Sequence, residues 1–138
     1  MFSGPIEDRL AIRELSDTYG DGVVRMDADT WGSVWADDAT WDFMGQTIEG
    51  REAIVQLWNG AMSQFDAVSF CGVPASIKVD GSTATSRIQT QEILKGKDGS
   101  TRHIGGLYTD RLAKVDGQWH YIHRAFAIIA EFQPADAA

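Results

Sequence analysis

The order of hydrophobic patterns predicts an α+β fold, with N-terminal helices covering one face of a curved antiparallel sheet. Three observations carry this expectation. Apolar residues recur at helical spacing in the first half of the chain, from Ile6 to Met62. From residue 66 onward the period becomes that of long strands. Asp80-Gly81 and Asp116-Gly117 then divide the second half into hairpins. Long strands twist and coil, so the sheet should wrap the helices as a cone. The open end of a cone is a place for a small molecule.

The elements follow in order. Residues 5–26 read as a helix: Pro5 suits its first turn, and Glu7 and Asp8 suit the positive end of its dipole. Gly20 and Gly22 weaken its later part and suggest close packing there. Asp27 or Asp29 can cap a second helix carrying Trp31, Val34 and Trp35, which Asp37-Asp38 ends. Thr40–Phe43 favours a short strand, Gly45 a turn, and Gln46–Ile48 a return strand. Gly50 opens a third helix with Ala53, Ile54, Leu57, Trp58 and Met62 on its apolar face. Four long strands are expected at Val68–Val79, Thr83–Leu94, Thr101–Lys114 and Trp119–Phe132, with a frayed tail at Gln133–Ala138.

The 138 residues carry no repeat or low-complexity linker, so 1–138 reads as one domain. A hydrophobic content of 43% argues against disorder. The net charge of −8 argues against nucleic acid and anionic membrane as partners. No His or Cys pair has zinc-site spacing, so no metal is expected. The single Cys71 reads as a small buried hydrophobe. Without an apolar leader or a spanning stretch, the expected location is cytoplasmic.

Several segments resemble a known family. They are Ile12-Arg13-Glu14-Leu15, Tyr19, Asp27-Ala28-Asp29, the run Trp35 to Trp41, and Ile48-Glu49-Gly50-Arg51-Glu52-Ala53-Ile54. Ile104 to Leu112 and Asp116-Gly117-Gln118-Trp119 continue the pattern. Together they look like a SnoaL-like domain of the NTF2-like superfamily. The resemblance implies an NTF2-like cone and, in many relatives, a homodimer through the outer sheet face. It also implies a cofactor-independent lyase, dehydratase or isomerase acting on a hydrophobic or aromatic molecule, such as a lignin-derived diarylpropane or a polyketide-like compound. The alternative is a non-catalytic ligand-binding or dimerisation module. A third reading is the small subunit of a ring-hydroxylating oxygenase, whose members are usually longer at the N-terminus.

The resemblance also assigns positions. Tyr19, eight residues before Asp27, stands where ketosteroid isomerases carry a catalytic tyrosine. Their general base would fall on Phe43, one residue from Asp42; a one-residue shift reverses a strand's face, so Asp42 serves only if a bulge re-aims it. The Asp–His dyad of the dehydratases and the dehydrochlorinase would fall on Val24 and Phe70, so both members are missing. The candidate catalytic residues are therefore Tyr19, Asp42, His103 and His123: Asp42, His103 or His123 would move the proton, and Tyr19, with Tyr108 and an arginine, would hold the developing oxyanion, while Arg87, Tyr108, Arg124 and Trp41 would contact the substrate. Strict alternation puts Trp119, Tyr121, His123 and Ala125 on one face of the last strand, and Ile122, Arg124 and Phe126 on the other. The dehydrochlorinase pattern favours His123 as the inward residue and the isomerase pattern Arg124. Arg87, Gln89 and Gln91 share a face that is either solvated or a polar pocket wall.

Overall fold

The computed structural model describes residues 1–132. The expected tail, Gln133–Ala138, lies outside them. A two-residue strand β1 (Phe2–Ser3) precedes helices α1 (Ile6–Arg25) and α2 (Ala28–Gly32), strands β2 (Trp35–Phe43) and β3 (Gln46–Glu49), and helix α3 (Arg51–Met62). Four long strands follow: β4 (Phe65–Asp80), β5 (Thr83–Gly96), β6 (Thr101–Val115) and β7 (Gln118–Phe132). They form one seven-stranded sheet in the order β1-β4-β5-β6-β7-β2-β3. The helices pack against its concave face, giving the expected NTF2-like cone.

Two elements differ from the sequence reading. The sheet is mixed, because β1 joins β4 and β2 joins β7 in parallel. The second helix stops at Gly32, and Trp35 already belongs to β2. The spacing of Trp31, Val34 and Trp35 imitates a helical stripe, yet all three are buried because the chain turns from helix to strand beneath them. A strand there provides a ladder partner for β7 that a helix cannot.

Local chemistry explains the joints. Asp27 accepts hydrogen bonds from the amides of Asp29 and Thr30, both at 3.1 Å, and so caps α2. A Cβ on Gly22 would stand 2.8 Å from the Trp31 backbone nitrogen, so only glycine lets α1 approach α2 this closely. Asp8, in the first turn of α1, accepts from Trp119 Nε1 and Lys114 Nζ, each at 2.9 Å, and ties the helix to the β6–β7 hairpin. The two bonds hold its carboxyl below the usual range.

The core is aromatic. Trp31 stacks on Trp58 at 4.5 Å between centroids and meets Trp35 and Trp41 at 5.5 and 5.6 Å. Trp31 and Trp35 are wholly buried. These rings, with Ile12, Ile54 and Tyr121, fill the cone where the helices meet the sheet. Rings of this size supply large apolar burial and favour tilted or offset contacts, as seen here. Cys71 is exposed rather than buried: it lies on the outward side of β4.

Candidate functional site

The site is built by strand parity. On β5 the inward residues are Ala84, Ser86, Ile88, Thr90 and Glu92; Arg87, Gln89 and Gln91 point outward and are exposed. On β6 Ile104, Gly106, Tyr108, Asp110 and Leu112 are all buried, and His103, just before them, is exposed. On β7 the register slips between Arg111 and Leu112 of β6, which pair with His123 and Tyr121, so Ile122 is an extra residue. This bulge turns Trp119, Tyr121, Arg124 and Phe126 toward one side. Strict alternation is thereby corrected: Arg124 lies inside with Tyr121, and His123 lies outside.

Arg124 is 1% exposed, and it organises the site. Its Nε and Nη2 donate to Asp110 Oδ1 and Oδ2 at 2.7 and 3.1 Å, and Ser86 Oγ donates to Oδ2 at 2.9 Å. Its guanidinium carbon lies 3.7 Å from the Tyr108 ring centroid, 4.0 Å from Tyr121 and 4.5 Å from Tyr19. A desolvated cation over aromatic faces gains about 2 kcal/mol or more per good contact. Burial alone would lower the pKa of Arg124; the charge of Asp110 and the surrounding phenols reverse this, and the net direction is upward. Among the described residues, Arg124 Nη1 has no hydrogen-bond partner.

Over this cation the hydroxyls of Tyr19 and Tyr108 meet at 2.6 Å. Both residues are 3% exposed. Burial pushes Tyr19 up to about 12, against the opposing pull of Arg124, and pushes Tyr108 well above its ordinary value. Both are therefore neutral phenols at pH 7. In such a pair one hydroxyl donates to the other, and the second keeps its proton for an outside acceptor.

Glu92 completes the constellation. It sits on the inward face of β5, opposite Phe70 of β4 and Ile104 of β6. It is half-buried, and burial raises its pKa to about 7, with Arg102 pulling the other way. Its charge also contributes to the upward shifts of both tyrosines. Phe70 and Phe126 cover the tyrosine pair, 5.6 Å from Tyr19 and 4.9 Å from Tyr108 between centroids, and are only partly buried. Phe43, on Trp41 at 4.4 Å, extends this aromatic rim.

The residues expected from sequence thus separate into two groups. Tyr19, Tyr108, Arg124 and Trp41 meet inside the cone. Asp42, His123, Arg87 and His103 lie on the outer face. There Asp42 Oδ2 is 3.3 Å from His123 Nε2, and Thr47 donates to Oδ1 at 2.7 Å. His123 Nδ1 is 2.5 Å from Thr40 Oγ1. β2 is regular from Thr40 to Phe43, so no bulge re-aims Asp42. His103 lies near the start of β6, between Ile93 of β5 and Phe132 of β7, with its ring 6.2 Å from that of Phe132. Val24 is exposed and Phe70 lies over Tyr19, so neither dyad position carries a proton-transfer group. Sequence reasoning missed Glu92, Asp110 and Ser86. The signal for them was parity: Ser86 and Glu92 share the face of Ile88, and Asp110 shares that of Tyr108 and Leu112, a face more apolar than that of Arg87 and the two glutamines.

Among the described residues, no group of three His, Cys, Asp or Glu could hold a metal. No helix among them is long and apolar enough to cross a membrane. None of the curated proteins compared with the chain matches it in sequence. Solved structures share its fold. A hexachlorocyclohexane dehydrochlorinase, LinA-type3 from Novosphingobium barchaimii LL02, superposes with a TM-score of 0.86 at 20% identity, over 94% of this chain and 92% of its own. Two proteins from Novosphingobium aromaticivorans are also similar. One, described as a candidate scytalone dehydratase, gives 0.84 at 20% identity over 92% and 87%. The other, described as a candidate aromatic ring hydroxylase, gives 0.87 at 24% identity over 97% and 98%. At these identities the likeness shows the fold. The family model for the SnoaL-like domain matches residues 5–125, and the chain accordingly belongs to the SnoaL-like domain family.

Proposed function

We propose that the protein is a cofactor-independent lyase or isomerase that removes a proton beside a carbonyl or phenol of a small aromatic or hydrophobic molecule. The observation that carries this reading is the buried Tyr19–Tyr108 hydroxyl pair over the Arg124 cation, with the half-buried Glu92 at the same end of the cone. Glu92 titrates close to neutrality, which suits a group that must take and return a proton. It takes the proton from carbon, and the bonding electrons move onto the carbonyl oxygen. That oxygen accepts the free tyrosine proton as a hydrogen bond. Arg124 beneath the rings stabilises the growing negative charge without surrendering a proton. Returning the proton from Glu92 to a neighbouring carbon completes an isomerisation, and returning it to a departing hydroxyl completes a dehydration. Phe70, Phe126 and Phe43 favour a flat ligand.

This reading moves proton transfer from Asp42, His103 and His123 to Glu92, and keeps Tyr19 as the oxyanion donor with Tyr108, Arg124 and Trp41 in support. The test is proton exchange. The protein is incubated in D2O with a panel of aryl ketones and β-hydroxy ketones, and deuterium at the carbon beside the carbonyl is followed by NMR. Exchange or elimination that disappears in Glu92→Gln supports the reading. Saturable tryptophan quenching by the same compounds with no exchange selects instead the non-catalytic binding module, which the dense aromatic filling of the cone favours.

A further inference from the structure

The outer face of the sheet carries a second polar cluster. Lys78, Thr85, Arg111 and His123 stand opposite one another across β4, β5, β6 and β7. The next row is Ser76, Arg87, Thr109 and Ala125. These two rows, with Ser86 and Asp110 between them, line a concavity of about 300 Å³, and the Asp110 carboxylate there is already held by Arg124 and Ser86. Arg87 is diagonal to both Lys78 and Arg111, a separation of roughly 7–8 Å between Cα atoms, so three long cationic side chains can converge over it.

The charges are unbalanced. Among the described residues, none of Lys78, Arg87 and Arg111 has a carboxylate within ion-pair distance. The carboxylates nearest in the fold are already committed or lie beyond the concavity. Asp110 is bound to Arg124 and Ser86, and Asp42 is paired with His123 and Thr47. Asp80 sits further along β4, opposite Thr83. Three exposed like charges on neighbouring strands repel one another. In a chain of net charge −8 this is a local concentration of positive charge, which favours the approach of an anion.

We propose that this concavity is a binding site for a phosphate group, free or as the ester of a small molecule, clamped by Lys78, Arg87 and Arg111. Thr85 and Thr109, in the same two rows, supply hydroxyl donors. The volume is at the lower end of small-ligand pockets and accommodates a phosphate with a small organic substituent. Arginine matches phosphate oxygens bidentately, and two arginines with a lysine satisfy a dianion. The site lies on the opposite side of the sheet from the tyrosine pair.

Isothermal titration calorimetry of the whole chain tests this with inorganic phosphate, pyrophosphate and phenyl phosphate, with citrate as a carboxylate comparator. The expected result is saturable one-site binding of at least one phosphate compound. Affinity should fall about tenfold or more in Arg87→Gln/Arg111→Gln, the scale of losing charge-assisted contacts. Arg9→Gln, which removes a cation outside the concavity, should bind as the parent does. Tighter phenyl phosphate than inorganic phosphate identifies an ester as the natural form, and the reverse order identifies the free ion. Circular dichroism verifies that the variants remain folded. No saturable binding in the parent overturns the proposal. So does equal affinity in the double variant, equal loss in Arg9→Gln, or citrate binding tighter than every phosphate compound.

Discussion

Tyr19 on α1 and Tyr108 on β6, separated by 89 positions, share a hydroxyl–hydroxyl hydrogen bond of 2.6 Å inside the cone. The bond joins the helical layer to the sheet where the Arg124 cation lies beneath both rings. Removing one hydroxyl leaves the ring packing intact and removes the donor chain. Tyr19→Phe and Tyr108→Phe should each lower kcat about 10²–10³-fold with a small change in KM, the scale of a lost oxyanion donor. Thermal unfolding should register only about 1 kcal/mol. Equal activity in both variants would place the chemistry elsewhere.

Glu92 predicts a pH dependence with a definite sign. As a base it must be ionised, so kcat/KM should rise with pH through about 7. Its folded pKa lies above its unfolded one. Below about 4.5 both states hold the proton and no difference arises. Between about 4.5 and 7 the unfolded state releases the proton first, so stability falls as pH rises. Glu92→Gln should abolish the rising limb of the rate profile. It should also stabilise the fold at pH 8 by roughly 1–2 kcal/mol, less than the full shift implies because the side chain is half-buried. Denaturant melts at pH 4 and pH 8 check the second point.

Arg124 and Asp110 form a buried pair whose halves depend on each other. Arg124→Met leaves Asp110 as an uncompensated carboxylate and should cost about 3–5 kcal/mol in denaturant unfolding. Adding Asp110→Leu should recover most of that loss while activity stays absent, since the cation beneath the tyrosines is gone. A double variant as unstable as the single one would show that the pair is not what Arg124→Met disrupts.

His103 is exposed near the start of β6, five residues before Tyr108 and on the opposite face of the strand. His103→Ala should leave turnover within about twofold and stability within about 0.5 kcal/mol. A loss of turnover comparable to that of Glu92→Gln would return proton transfer to the outer face.

Gly106 sits under the Phe126 ring: a Cβ there would be 2.4 Å from Phe126 Cε1 and 2.7 Å from Thr90 Oγ1. Gly106→Ala should displace Phe126 from Tyr108, costing about 1–3 kcal/mol. It should change KM more than kcat, because it reshapes the rim and not the donors. Steady-state kinetics on a substrate found by the exchange assay separates the two.

The sequence by itself determined the layered fold. Helical spacing up to Met62, strand spacing beyond it and glycine turns at Gly81 and Gly117 place the elements within a few residues of where they stand. It also named Tyr19, Tyr108, Arg124 and Trp41 among its candidates, alongside Asp42, His103, His123 and Arg87, without deciding which of His123 and Arg124 faces inward. Tertiary structure decided the rest. Whether Trp35 ends a helix or begins a strand depended on β7 offering a parallel partner. The face of Arg124 relative to Tyr121 depended on one extra residue, Ile122, which alternation cannot reveal. Glu92 follows Gln91 in sequence, and only the packing on one side of β5 sets Glu92 on the drier face. Local pattern sets the period of a strand, but only its neighbours across the sheet set its phase, and the phase decides which side chains meet.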